Sequence, residues 1–152
     1  SRLSRGLGDV YKRQSQDYIM RQIHQLSQVL IAILNMVIKL KKHDQHAVIV
    51  PYTNEMLKEH LDADLQHLLK MLDEKTIIDL KKETGFSNEH LEILADIFFE
   101  LAENDLDQQS FEADNISLLK HCKDIYEFIE LDERTYSIDR NLKITKIKSY
   151  MN

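Results

Sequence analysis

Residues 16–42 read QDYIMRQIHQLSQVLIAILNMVIKLKK, the longest stretch of the chain with a helical apolar period. Its apolar side chains recur at alternating spacings of four and three, the heptad-like pattern of one helix face. Between Val29 and Leu40 the apolar character spreads around the helix, which is typical of a helix that is deeply buried or faces lipid. The seam is our candidate interaction face, and it comprises Ile19, Ile23, Leu26, Leu30, Ile33, Val37 and Leu40.

Shorter amphipathic segments continue the helical pattern to the end of the chain. Their predicted N-caps are Asp62 or Asp64, Asp73, Ser87, Ser110 and Ser137, and the predicted C-cap is Gly85. The inward stripe predicted after Ser87 comprises Leu91, Leu94, Ala95, Phe98, Leu101 and Ala102. The inward stripe predicted for the last helix comprises Ile138, Leu142, Ile144, Ile147 and Met151. We therefore predict an all-α bundle of about seven helices, with a long N-terminal helix and a C-terminal αα-hairpin, as one domain over residues 15–152.

Residues 43–53 are predicted to connect the first two helices without helical structure of their own. Val48-Ile49-Val50 is the one β-like run of the chain, and Pro51 disfavours helical backbone at the residue before it. We expect an extended linker that packs against the core, and no sheet.

The composition excludes several classes of protein. The chain has 152 residues, with 3 Gly, 1 Pro and 1 Cys, and so few turn residues argue against a β-sandwich or barrel. A single cysteine rules out a disulfide framework and a cysteine-built zinc site. The net charge of -6 argues against general nucleic-acid binding.

The N-terminal residues 4–14, SRGLGDVYKRQ, resemble the conceptual translation of a transposon-based sequencing adapter, codon for codon. We therefore interpret residues 1–14 as non-native and disordered, and exclude them from fold reasoning. The remaining 138 residues carry a net charge of -9 and a single glycine, from which no phosphate-binding loop can be built. The alternative is a short basic arm that binds an anionic partner.

Charge is distributed unevenly along the rest of the chain. Residues 44–133 carry a net charge of -16, whereas residues 15–43 carry +3 and residues 134–152 carry +4. The opposite signs predict that both terminal helices pack on the acidic middle. The alternative is that these charges belong to solvated faces.

The seven histidines raise the question of a metal site. His60, Asp64 and His67 stand at spacings of four and three, which on one helix would present two imidazoles and a carboxylate to a metal ion. A helix break at Asp62 or Asp64 would separate His60 from the other two. We therefore interpret the histidines as solvated and predict no metal site.

No motif of nucleophilic, metal-assisted or phosphate chemistry occurs in the sequence, so we predict no catalytic residue and no cofactor. Cys122 lies on the apolar stripe of its helix and is interpreted as a small buried hydrophobe. The aromatic residues Phe98, Phe99, Phe111 and Tyr126 are interpreted as core packing, with a ligand pocket between two helices as the alternative.

The first helix also allows a membrane interpretation. Its densest apolar run, residues 29–38, is about half of the roughly 20 residues that a transmembrane helix requires. No small-residue cleavage site of a signal peptide follows the lysines at residues 39–42. We predict a cytoplasmic protein, with anchoring of the first helix in a membrane surface as the alternative.

Three stretches resemble a family of small, all-helical bacterial proteins of unknown function. They are QDYIMRQI at residues 16–23, LDADLQHLL at 61–69 and TYSIDR at 135–140. The resemblance extends over most of residues 16–150; it implies a helical fold and no catalytic residues. Residues 119–131 also resemble the second helix of a tetratricopeptide unit, although Phe128 stands where a small residue is expected and no second copy occurs.

The sequence has many apolar helix stripes suited to packing, but it has no set of polar residues that would converge on one site. This combination favours a non-enzymatic interaction or scaffold protein. Its expected partner is another protein or a second copy of the chain, and not nucleic acid. The alternatives are a peripheral membrane protein anchored by the first helix, and a small-molecule binder or enzyme.

Overall fold

The computed structural model describes the backbone of residues 24–107 and 113–151, and the side chains of residues 24–103 and 115–151. Within these ranges the chain forms seven α-helices and no β-strand, so the predicted all-α fold is confirmed. Helix α1 covers the described residues 24–42, and it is followed by α2 (Ile49–Leu61), α3 (Leu65–Glu74), α4 (Ile77–Thr84), α5 (Asn88–Asp107), α6 (Ala113–Glu133) and α7 (Ile138–Met151). The predictions for residues 1–14, Ser110 and Phe111 lie outside the described residues.

Several helix boundaries agree with the caps predicted from sequence. The side chains of Asp64, Ser87 and Ser137 each accept a hydrogen bond from the backbone N–H three residues further on, as N-caps do. Gly85 ends α4 in the left-handed conformation, with φ of 75°. Local sequence is sufficient at these positions because each cap needs only residues within one turn.

The predicted cap at Asp73 is wrong. Asp73 lies inside the last turn of α3, and α4 begins instead after Thr76. Thr76 and Asp79 form a capping box, in which each side chain accepts a hydrogen bond from the backbone N–H of the other residue. Two reciprocal hydrogen bonds satisfy the α4 N-terminus better than the single bond that Asp73 could offer.

The predicted extended linker is also wrong. Residues His46–Val48 form one turn of 3₁₀-helix that leads directly into α2. Pro51 is tolerated because it lies in the first turn of α2, where a backbone N–H has no partner within the helix. Ile49 and Thr53 are fully buried, so tertiary burial outweighs the extended preference of the β-branched residues.

Helices α5 and α6 form the centre of the fold and run antiparallel. The side chain of Asn88, at the start of α5, donates to Asp132 near the end of α6 at 2.7 Å, and Cys122 of α6 lies beside Ala95 of α5. The α5 stripe predicted from sequence is confirmed, because six of its residues are at most 1% exposed: Leu91, Leu94, Ala95, Phe98, Leu101 and Ala102.

Helix α1 packs into this core through its seam. Leu30, Ile33 and Val37 are fully buried, and Leu26 and Leu40 are half-buried against the same core. The other two residues of the candidate interaction face, Ile19 and Ile23, lie outside the described residues. In its described part the seam is therefore intramolecular core, and its three buried residues have no surface to offer a partner.

The inward stripe predicted for α7 is correct only in part. Ile144 and Ile147 are buried, but Ile138, Leu142 and Met151 are exposed by 71%, 66% and 42%. The reason is that the inner face of α7 is partly charged, because it presents basic side chains to α5. A prediction based on the spacing of apolar residues alone cannot detect such a face.

Candidate functional site

A row of carboxylates runs along one side of α5. Glu92, Asp96, Glu100 and Glu103 follow each other at spacings of four, four and three, so they lie on one helix face. Sequence reasoning registered the acidic middle of the chain but did not single out this row. The signal that could have found it is the three-and-four spacing of acidic residues along the flank of an apolar stripe.

Helix α7 runs parallel to α5 and pairs with this row. The Arg140 guanidinium donates to Glu92 at 3.0 Å, Lys143 donates to Asp96 at 3.0 Å, and Lys146 pairs with Glu103. We call these three pairs the ion-pair ladder. On the α1 side, Lys41 pairs with Glu100 at 2.8 Å. The described residues thus agree with the prediction that both terminal helices pack on the acidic middle.

Arg140 is the most buried basic residue of the ladder, at 6% exposure. Besides Glu92, its guanidinium donates to Glu130 at 3.4 Å and to Thr135 at 3.1 Å. A buried charge is tolerated when its donors are satisfied. Arg140 therefore ties α7 to α5, to α6 and to the turn between α6 and α7.

A buried polar cluster lies beneath the ladder. The Tyr126 hydroxyl donates to Asp96, and the Cys122 thiol donates to the Ala95 carbonyl at 3.1 Å. The Lys143 ammonium lies 5.9 Å from the centre of the Tyr126 ring and 5.7 Å from that of Phe99. These contacts join α5, α6 and α7 and secure their packing.

The ionisation of the cluster follows from burial and charge. Burial raises the pKa of the Cys122 thiol well above its ordinary value, and it does the same for the Tyr126 hydroxyl with a contribution from Asp96. Burial alone would lower the pKa of Lys143, but the neighbouring carboxylates of Asp96 and Asp139 outweigh it and raise the pKa. A neutral thiol is a poor nucleophile, so this geometry does not favour chemistry at Cys122.

The predicted core packing of the aromatic residues is observed for the three whose side chains the structure describes. Phe98, Phe99 and Tyr126 are at most 5% exposed and belong to one core.

Two histidines that the sequence did not single out are buried. The His121 imidazole lies 2.6 Å from the Asp73 carboxylate and joins α6 to α3. His90 accepts a hydrogen bond from the Ser87 backbone N–H at 3.0 Å and packs against the ring of Phe86. Both contacts fix helix positions.

The candidate metal ligands of the sequence are separated. Asp64 lies outside both helices, and its carboxylate caps α3 by accepting from the His67 backbone. His60 and His67 are exposed and both line an open cleft of about 810 Å³ between α1, the α2–α3 corner and the α4–α5 turn. Among the described residues no group of three or more potential ligands is placed to hold a metal ion.

Highly exposed apolar side chains are grouped at the turn between α6 and α7. Four side chains there are the most exposed large apolar residues of the described chain: Leu131 at 81%, Tyr136 at 74%, Ile138 at 71% and Leu142 at 66%. We call these four residues the apolar corner. Neighbouring charged residues in the sequence are exposed as well, namely Asp132, Glu133, Arg134 and Asp139. Protein interfaces usually combine apolar residues at the centre with polar residues at the rim.

The exposed side of α1 is mainly polar. It carries His24, Gln25, Gln28, Asn35, Lys39 and Lys42, with Ile31 as its exposed large apolar residue. None of the helices in the described ranges combines the length and apolarity needed to cross a bilayer.

Comparison of the chain with protein-family models, with curated proteins and with solved structures finds no match.

Proposed function

We propose that this chain is a non-enzymatic interaction protein, and that the apolar corner between α6 and α7 is its binding surface. The observation that carries the proposal is the exposure of four large apolar side chains within twelve residues, each at 66% or more. Single exposed apolar residues are common on monomeric proteins, but several large ones grouped within one short segment point to an interaction site.

The other features of the molecule support the same assignment. The titratable groups of the α5–α7 cluster are engaged with each other, and the cleft beside His60 and His67 is open to solvent and lacks a buried polar group. A catalytic site usually combines a concave pocket with perturbed titratable groups that point into it. In the described chain these two features occur in different places.

The test compares affinity capture by the wild-type chain with capture by Ile138→Ser/Leu142→Ser, from an extract of the organism that encodes the protein. A partner that the wild type retains and the double variant loses supports the proposal. The matched control is Ile78→Ser, because Ile78 is 53% exposed on α4, outside the corner. As dilute monomers, all three proteins should unfold at the same denaturant concentration, since none of these side chains is buried.

Sedimentation of the same three proteins adds self-association to the test. If the wild type and the double variant retain the same proteins and both sediment as monomers, the corner is not a binding surface and the proposal fails.

A further inference from the structure

The turn between α6 and α7 is short and strained. Only residues 134–137 separate the two helices. Arg134 has φ of 53°, in the left-handed region that a residue with a Cβ rarely adopts. If Arg134 became helical, this strain would be relieved, and α6 and α7 would join into one continuous helix. Short hinges under strain are known to favour exchange of the segment that follows them.

A helical repeat of four apolar residues and two threonines spans the same turn. Alternating spacings of three and four connect Phe128, Leu131, Thr135, Ile138, Leu142 and Thr145. On one continuous helix these six residues, which we call the split seam, would lie on a single face, as in a coiled coil. The observed turn divides the split seam between two helices and leaves Leu131, Ile138 and Leu142 exposed. The sequence thus contains a helix-pairing pattern that the folded chain does not use.

The attachment of α7 to the rest of the chain is compatible with exchange. Its large buried apolar side chains are Ile144 and Ile147, and its other contacts include four charged pairs with α5 and α6. An identical α7 from another molecule would make every contact of the ion-pair ladder equally well. Only the contacts of residues 134–137 depend on the closed turn.

We infer, on the basis of the proposed function, that the partner of the apolar corner is a second copy of this chain, and that the two copies exchange α7. In the exchanged dimer α6 and α7 form one helix, and each α7 packs on the α5 of the other copy. The two continuous helices then cross at the split seam, which covers Leu131, Ile138 and Leu142.

The first test changes the hinge residue and measures the dimer dissociation constant by sedimentation equilibrium. Arg134→Gly removes the left-handed strain and weakens the continuous helix, so it favours the monomer. Arg134→Ala keeps the strain and strengthens the helix. We expect the alanine variant to dimerise at least about tenfold more tightly than the glycine variant. Equal dissociation constants, or monomers in both cases, would overturn the inference.

The second test distinguishes exchange from simple association of two closed monomers. One chain carries Glu103→Lys and the other carries Lys146→Glu, so each is repulsive within itself at the Lys146–Glu103 pair of the ladder. An exchanged heterodimer restores opposite charges at both of its ladders. Mixing the two chains should therefore give mostly heterodimer by native mass spectrometry, whereas a statistical mixture would overturn the exchange.

If a charge variant does not fold, a mixture of Glu103→Cys and Lys146→Cys chains makes the same decision, because the two new cysteines meet only when α7 is exchanged between the chains. Mild oxidation should give a disulfide-linked heterodimer, and its absence from a mixture that still dimerises would overturn the exchange. Failure of exchange leaves the proposed function to be judged by the capture experiment. A corner that captures another protein while the chain stays monomeric contradicts only the inference made here.

Discussion

Helices α1 and α7 both bring lysines to the acidic helix α5, but different forces hold them there. In α1, three seam residues have no exposed area, and a single lysine, Lys41, pairs with α5. In α7 three basic residues pair with α5, and two of the residues with helical apolar spacing, Ile138 and Leu142, face solvent. The burial of α1 therefore rests on the hydrophobic effect, whereas that of α7 combines two buried isoleucines, Ile144 and Ile147, with oriented charges.

This difference has consequences for movement. The free energy gained by burying apolar surface is large and does not depend on orientation. Ion pairs near the surface contribute little to stability, and their contribution falls as the salt concentration rises. An element held by such pairs belongs to the less stable parts of a protein, where local opening occurs below the free energy of global unfolding. The helix that we infer to be exchanged is the one that depends more on ion pairs and buries fewer apolar side chains.

The largest effect is expected in the α1 seam. Leu30→Ala should lower the free energy of unfolding by about 3 kcal/mol, because it removes a fully buried side chain and leaves a cavity. Urea unfolding at neutral pH measures this loss. The neighbouring variant Ile31→Ala, at a position 42% exposed, should cost less than about 1 kcal/mol. Equal losses would mean that the seam is not the face by which α1 is buried.

The next largest effect is expected at Arg140. Arg140→Met keeps most of the side-chain volume but leaves Glu92 and Glu130 without their shared cation, at a cost of about 2 kcal/mol. The control is Lys148→Met on the exposed side of the same helix, which should be nearly neutral. Amide hydrogen exchange should localise the Arg140→Met effect to α7, and uniform acceleration across α1 would contradict the separation of the two helices.

Alkaline pH provides a third test, at the cluster beneath α7. Because burial raises the pKa of Cys122 above its ordinary value of 9.0, the thiol stays neutral in the folded chain but ionises in the unfolded one. Its contribution to stability is therefore complete below pH 9 and is lost as the pH rises. The loss amounts to about 1.4 kcal/mol per pH unit above that point.

Urea unfolding at successive pH values checks the sign and source of this loss. Cys122→Ala should flatten the decline between pH 9 and 10. The raised pKa of Lys143 adds a loss of the same sign at higher pH. Leu30→Ala, in the α1 seam, should keep the wild-type slope, and a changed slope there would show that α1 and the cluster are coupled.

The smallest effect is expected at the apolar corner. Leu142→Ala should change the free energy of unfolding of the monomer by less than about 0.5 kcal/mol, because the side chain is 66% exposed. Dilute protein is required, since a dimer that covers Leu142 would add its own stabilisation. A loss as large as that of Leu30→Ala in the dilute monomer would show that α7 packs through its apolar face after all.

Much of the fold follows from local sequence, as particular elements show. The stripe from Leu91 to Ala102 predicts both a helix and its buried face, because a helix with one apolar stripe has one way to bury it. The caps at Asp64 and Ser87 depend only on the next few residues. The start of α2 could not be found in this way, since the burial of Ile49 in the common core outweighs the extended preference of the β-branched residues before Pro51.

The candidate site was accessible to sequence reasoning only in part. Segregated charge predicted that the ends of the chain pack on the middle, yet it did not show which lysine meets which carboxylate. Arg140 reads as an ordinary surface residue in the sequence, and its 6% exposure depends on helices that are distant in the chain. The exposure of Leu131 and Ile138 was missed for the converse reason, because apolar spacing does not reveal which helix face has no neighbour.

The order of amino acids was sufficient for the helical class, for most helix ends and for the buried stripe of α5, because hydrophobic period and capping act within one or two turns. The tertiary structure was needed to distinguish α1, whose apolar seam is buried, from α7, whose apolar residues are divided between core and solvent. That distinction depends on the carboxylate row of α5. Once Arg140 and Lys143 are turned toward that row, the helix period places Ile138 and Leu142 on the opposite side.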